Sequence, residues 1–397
     1  MNDWGMSVLS QYPVTVRTTR KVRGALLCDT KEGLYLLSEY RGKQARLEAE
    51  AALLLYLAEN GMVHTDQIIK NEKEELLSKN EEGTGYVLKM WYPWPECSVS
   101  SIGDLVQAVN SLARLHVSMR RMPKHLLIKQ EKVQSEESKQ DMTEGNAVTN
   151  THKERQSLAC QYEKHNRELR RVRAYLHRKK KKSVLEQFIQ KSLDEMYNQA
   201  DIAVRAMMDG GLYEVEEQAK KEGHLIHGAY HQHNVLIGQG QTAAVNFEQF
   251  RVGCQICDLY QFIRKIMEKH NWNQELGMRL IREYNRVQNM SQKEISLLGF
   301  MIAYPEKYWK QVNFYFNNSK SWISEKNIEK IKKAVEQNSV RTAFADCLLQ
   351  KQLYKLIIGQ TCGNTEEFHN YQAMFFLRQW LPLNSDMYRR CLHSQLH

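Results

Sequence analysis

The densest run of side chains able to do chemistry is His227-Gly228-Ala229-Tyr230-His231-Gln232-His233-Asn234, which leads into Val245-Asn246-Phe247-Glu248 and then Asp258. Imidazoles can move protons or bind borderline cations, but His227, His231 and His233 stand in a loop without a neighbouring Cys or acid, so loop hydrogen bonding is the simpler reading. Asp258 precedes Leu259, Phe262, Ile263, Ile266 and Met267, an apolar stripe at helical spacing, and is placed to cap that helix. Cys254 and Cys257 have no second pair to complete a zinc site and read as packed thiols that could crosslink only under oxidation.

These residues need a frame. Gly24–Cys28 and Leu34–Leu37 are β-rich runs separated by Asp29-Thr30-Lys31-Glu32-Gly33, a hairpin signal, and Leu47, Ala51, Leu54, Leu55 and Ala58 then recur at helical spacing up to Asn60-Gly61. Ile68-Ile69 and Tyr86–Met90 predict further antiparallel strand, ended by the stiff hinge Trp91-Tyr92-Pro93-Trp94-Pro95. Beyond it helices dominate: Leu105, Val109, Leu112, Ala113 and His116 share one helix face, and long helical patterns continue to Leu383. Residues about 129–155 carry almost no large apolar side chain and read as a mobile charged insertion. Residues about 157–207 predict a helical hairpin with Lys179–Lys182 at its tip, and Val235–Ile237 with Ala243–Val245 predict a small β-hairpin around Gly238-Gln239-Gly240. Of Tyr308, Trp309, Phe314, Tyr315 and Phe316, helical spacing assigns most to the core.

The order of β-rich lobe with one helix, hinge, helical lobe, His-Gly-x-x-x-x-x-Asn, hairpin and x-Asn-Phe-Glu resembles the aminoglycoside phosphotransferase (APH)-like branch of the protein-kinase fold. Within that branch the chain looks like the CotS spore-coat family, whose C-terminal half is echoed by Tyr304-Pro305-Glu306-Lys307-Tyr308-Trp309. The resemblance implies an α+β, bilobal, protein-kinase-like fold: an N-terminal β-rich lobe over residues 1–94 and a helical lobe over 95–397. It also implies a catalytic loop in which an Asp accepts the proton of the attacking hydroxyl and Asn234 helps hold magnesium. Ala229 stands in that Asp position, and Asn246 stands where a chelating Asp is expected, although a neutral amide is a weaker ligand for a hard cation. The lysine slot falls near Leu37 or Ser38. Lys43 lies a few residues late, with Glu48 or Glu50 as its candidate partner, and Thr18–Gly24 holds one glycine where a phosphate-covering loop needs several. Glu248 is the best carboxylate for a rescue, facing the same side as Asn246 if the segment is a strand. By the same resemblance His227 and Asp258 hold the loop in shape.

Three losses at one reaction centre, at about 1.4 kcal/mol per tenfold in rate, point to a pseudokinase that acts by binding or scaffolding. The resemblance assigns it to the spore coat or coat assembly, with spore coat proteins as partners and with no cofactor required. An active ATP-dependent phosphotransferase stays open as the alternative, with ATP and magnesium at Asn234, Asn246, Glu248, Lys43, Glu48 and Glu50, and His231 as base. A second alternative is an anion-binding scaffold. The formal charge is +10, yet Arg167 to Lys182 holds nine Lys/Arg against one acid, leaving only +2 elsewhere. Arg167, Arg170, Arg171, Arg173, Lys179, Lys180, Lys181 and Lys182 therefore read either as a contact patch for an anionic partner or as a solvated helix face, and such a local cluster argues against nucleic acid, whose ligands usually spread charge along a surface. No apolar run reaches the about 18 residues of a transmembrane span. The first residues lack a signal peptide's basic start, so synthesis in the cytoplasm and deposition on the coat are expected.

Overall fold

The computed structural model describes residues 5–60, 64–123, 157–317 and 325–359; the charged stretch at about 129–155 and the helical pattern beyond 359 lie outside them. The first sheet is built from β1 (Val16–Val22), β2 (Ala25–Thr30), β3 (Leu34–Glu39), β5 (Ile68–Ile69), β6 (Ser78–Lys79) and β7 (Gly85–Met90), in the order β1-β2-β3-β7-β5 with β6 also on β7. All its pairings are antiparallel. The Arg23-Gly24 turn is tight because Val22 pairs with Ala25 and both turn residues have positive φ, 29° and 81°, the geometry a two-residue hairpin needs. Leu26, Cys28, Leu37 and Leu88 bury one face of the sheet against Val8, Leu9 and Tyr12, which bracket the end of α1 (Met6–Leu9).

Helix α2 (Gln44–Glu59) follows β3 and buries Leu47, Leu53, Leu54 and Leu57 together with Glu50. Strand β4 (His64–Thr65) leaves the first sheet to pair in parallel with β10 (Gln241–Ala244), which is antiparallel to β9 (Val235–Gly238). β8 (Leu225–Ile226) pairs with β11 (Arg251–Val252). Helix α3 (Ile102–Arg120) packs against β8, β9 and β10 and against α7 (Ile256–Met267), and α7 and α8 (Gln274–Val287) bury apolar stripes of their own.

The chain forms two compact units, residues 1–148, 218–269 and 275–289 in one, and 149–217, 270–274 and 290–397 in the other. The second contains α4 (Leu158–Arg178), α5 (Val184–Asp209), α9 (Gln292–Ala303), α10 (Glu306–Asn317), α11 (Glu325–Glu336) and α12 (Asn338–Gly359), while α6 (Leu212–Glu222) spans the residues where the units meet in sequence. Ser183 with Glu186 and Ser291 with Glu294 form capping boxes that start α5 and α9. α4 and α5 pair as a helical hairpin joined through the lysine run. Of the five aromatics expected mostly in the core, Tyr308 alone is buried; Trp309, Tyr315 and Phe316 are half-buried, and Phe314 is 48% exposed, because its position on α10 turns it away from the stripe of Tyr308 and Val312. Cys254 and Cys257 are free thiols.

Candidate functional site

Lys89 is the centre of the site. It shares a face of β7 with Val87, and both are almost fully buried. Its ammonium lies 2.8 Å from Glu50 Oε1 on α2, 2.7 Å from Glu248 Oε1 and 3.5 Å from Asp66 Oδ2. One ammonium has three hydrogens, so this set can engage all of them. Burial alone would lower the Lys89 pKa, but the surrounding carboxylates hold it well above the ordinary range. Burial raises Asp66 to about 7 and also raises Glu50 despite the attraction of Lys89. Glu248, nearest the surface, resists its own desolvation because Lys89 attracts and hydrogen-bonds it, and its pKa lies below the ordinary value.

Asp66 also accepts the main-chain N–H of Asn246 at 2.9 Å, where the backbone is left-handed (φ 67°), a conformation asparagine tolerates. Residues 247–249 then form a 3-10 turn, so Glu248 reaches Lys89 from a turn rather than by the strand alternation expected from sequence. The Asn246 side chain donates Nδ2–H to Asn234 Oδ1 at 2.8 Å, and Asn234 Nδ2–H donates to Ala229 O at 3.0 Å. The oxygen that Asn234 would offer a cation therefore already accepts an N–H. Among the described residues no three or more His, Cys, Asp or Glu side chains are arranged to hold a metal ion.

The loop from His227 to Asn234 is pinned from below. Asp258 accepts the N–H groups of His227 (2.6 Å) and Gly228 (2.9 Å), and pairs with His116 Nε2 at 3.2 Å, while His116 Nδ1 meets the Tyr284 hydroxyl at 2.7 Å. Gln255, not Asp258, is the N-cap of α7; Asp258 spends its oxygens on the loop because it sits one turn inside the helix. Burial pushes the Asp258 pKa up, but its hydrogen bonds and the charge of His116 hold it below the ordinary value. His227 accepts from Ala229 N–H through Nδ1 and faces Val245 O through Nε2, a neutral tautomer that burial favours by lowering its pKa. Gly228 must be glycine: at φ 78° a Cβ would lie 2.2 Å from Gln249 O. Tyr230 donates to Ala108 O at 2.7 Å and ties the loop to α3.

Of the residues read from sequence, the structure brings Glu50 and Glu248 together on Lys89, and Asn234 and Asn246 together as an amide pair. Lys43 occupies the N-cap of α2, and Glu48 accepts from Gln44, so neither joins the cluster. The expectation that the lysine of this centre is missing changes: it comes from β7, where Lys89 pairs across the sheet with Leu36, one residue before the expected slot on β3. Sequence reasoning missed Lys89 and Asp66. A lysine alternating with Val87 in an apolar strand was the available signal, since a buried ammonium demands partners. His231 is half-buried with its pKa lowered to about 4, chiefly by burial. His233 Nδ1 meets Glu96 at 2.5 Å.

Comparison with known proteins turns on this arrangement of sheet, α2, loop and hairpin. An aminoglycoside phosphotransferase from Alicyclobacillus acidocaldarius superposes with a TM-score of 0.73 at 15% identity, over 88% of this chain and 96% of that one. A spectinomycin phosphotransferase in complex with ADP and spectinomycin gives 0.53 at 12% identity, over 85% and 96%. A microcompartment-associated aminopropanol kinase gives 0.50 at 12%, over 88% and 97%. The fold is kinase-like. It has the aminoglycoside-phosphotransferase architecture, α+β, with an antiparallel β-sheet lobe and a larger, mainly helical one. No protein-family model and no curated protein matches the sequence. Ala229 is half-buried, and the oxygens of Asp258 already accept main-chain N–H groups.

In the second unit the basic residues of the helical hairpin are partly engaged. Arg173 pairs with Asp194 (2.5 Å), Lys179 with Glu186 (2.6 Å) and Arg167 with Glu163 (3.7 Å), and Arg170 donates to the Tyr197 hydroxyl at 3.1 Å, while Arg171, Lys180 and Lys181 are exposed. Among the described residues no helix is long and apolar enough to cross a membrane.

Proposed function

We propose that the chain is a kinase-fold pseudoenzyme that acts by binding or scaffolding, in the spore coat or its assembly. The observation that carries the first half is the closed hydrogen-bond chain Asn246 to Asn234 to Ala229. It puts an amide where a metal carboxylate would be and ends on a residue that can neither take a proton nor orient a hydroxyl. Catalysis of phosphoryl transfer is positioning and charge neutralisation, and on this reading Ala229 removes a positioning group and Asn246 a charge-neutralising one. The coat role is supported by the resemblance in Tyr304–Trp309, and coat proteins are then the partners. It is tested by following a tagged protein through sporulation in a spore-forming host; recovery only in the mother-cell soluble fraction contradicts it.

One observation favours a second reading. The Lys89–Glu50 pair is a buried lysine bonded to the α2 glutamate, as an active kinase would keep, and the structural neighbours named above are phosphotransferases or kinases. ATP with magnesium is the cofactor of that reading. Purified protein incubated with magnesium-ATP and a panel of aminoglycoside and amino-alcohol acceptors separates the two: the pseudoenzyme forms no ADP above buffer, whereas a phosphotransferase forms ADP as the acceptor is phosphorylated and loses the rate on Asn234→Ala.

A further inference from the structure

Two small apolar clusters face the chain that follows β7. Ala25, Leu27 and Leu36 form one, with Val22 and Leu34 against it; Leu236, Ala243 and Val245 form the other, with Tyr92 and Trp94 against it. Trp91 packs against both. Kinases seat the purine of ATP beside the main chain that follows this strand, between apolar residues of the sheet and of the loop hairpin, and a flat base needs the room an indole fills. We propose that Trp91 takes the purine's place, so that the cleft is closed by the chain's own side chain and admits no adenine nucleotide; this deepens the pseudoenzyme reading and rests on it.

Three independent features agree. Adenine is read by main-chain groups, yet the Met90 N–H donates to Gln67 O at 2.7 Å and the Trp91 N–H to Leu34 O at 2.8 Å, and Pro93 and Pro95 have no N–H to give. The β1–β2 turn, where a phosphate-covering loop would be, is only Arg23-Gly24 and is latched down: Arg23 meets Glu96 through two contacts of 2.9 and 3.1 Å, and Glu96 also meets His233 on the loop. On the phosphate side, the Lys89 ammonium is already surrounded by Glu50, Glu248 and Asp66. Base, phosphates and metal each find their place filled by protein.

The test is a binding measurement by calorimetry with ADP and with adenosine, both without magnesium, on wild-type protein and on Trp91→Ala. The expected result is no detectable binding to wild type at millimolar ligand, and saturable binding of adenosine to the folded variant, at least about tenfold tighter than the wild-type limit. Folded Trp91→Ala that binds neither ligand overturns the proposal. Where Trp91→Ala does not fold, Trp91→Phe is judged by the same criterion. Wild-type binding of ADP without ADP formation from ATP and an aminoglycoside or amino-alcohol acceptor overturns the plug and leaves the pseudoenzyme standing, whereas magnesium-dependent ADP formation by wild type overturns both.

Discussion

Replacing Lys89 by Met keeps the length and apolar stem of the side chain and deletes the charge. Glu50 and Asp66, whose side chains are 1% and 0% exposed, are then left without their cation, and Glu248, 42% exposed, can turn to water. Breaking a buried ion pair from one side costs about 3–5 kcal/mol, a large share of the about 5–15 kcal/mol that holds a domain folded. The loss should be largest near pH 8. As pH falls the stranded carboxylates bind protons and become neutral, so the gap between variant and wild type narrows towards pH 4. Urea denaturation followed by circular dichroism at both pH values measures it, with Lys43→Met as the control, expected within about 0.5 kcal/mol of wild type. Adding Glu50→Gln and Asp66→Asn to Lys89→Met should recover part of the loss, because neutral amides need no counter-charge. A penalty below about 1 kcal/mol at pH 8, or one equal at both pH values, would show that the carboxylates are solvated and would refute a closed charge cluster.

Asp66 gives a second pH signature: its folded pKa of about 7 lies above the unfolded value, so its contribution is complete below about 4 and is lost as pH rises towards 7. Asp66→Asn should flatten the wild-type stability profile over that window, measured by thermal melts in matched buffers. Asp258→Ala strands the buried N–H groups of His227 and Gly228 and should cost about 3–5 kcal/mol by denaturant midpoint, while Asp258→Asn, which keeps one acceptor oxygen, should cost less. Gly228→Ala should lose at least about 2 kcal/mol, since left-handed strain adds to the clash with Gln249 O; a neutral effect would mean the loop adapts. On the pseudoenzyme reading Ala229→Asp alone should not create turnover in an ADP-formation assay with acceptors present, because Asn246 still offers an amide, bonded to Asn234, in place of a carboxylate.

What the sequence made legible was local. The β2–β3 hairpin follows from the Asp29–Gly33 turn, α2 from its apolar spacing, and the loop from His227, Gly228 and Asn234, whereas β1 lies where the sequence reading put a phosphate-covering loop. What was not legible depended on distant pairing. Lys89 on β7, the neighbour of β3, meets Glu50 on α2, 39 residues earlier in the chain, and it meets Glu248 through a left-handed turn at Asn246 that no periodicity encodes. Asp66 carries no motif at all; its meaning comes from the parallel pairing of β4 with β10, which sets it against Asn246. Local signals fixed neither the register nor the turn, and so the strand alternation expected for Glu248 gave the right neighbour by the wrong route.

The most direct test of the central claim is ADP formation from magnesium-ATP by the purified protein in the presence of aminoglycoside and amino-alcohol acceptors, read by a coupled ADP assay over hours. The pseudoenzyme reading predicts a rate no higher than buffer alone, unchanged by Asn234→Ala. Magnesium- and acceptor-dependent ADP formation that disappears in Asn234→Ala would contradict the account and return the chain to the working phosphotransferases.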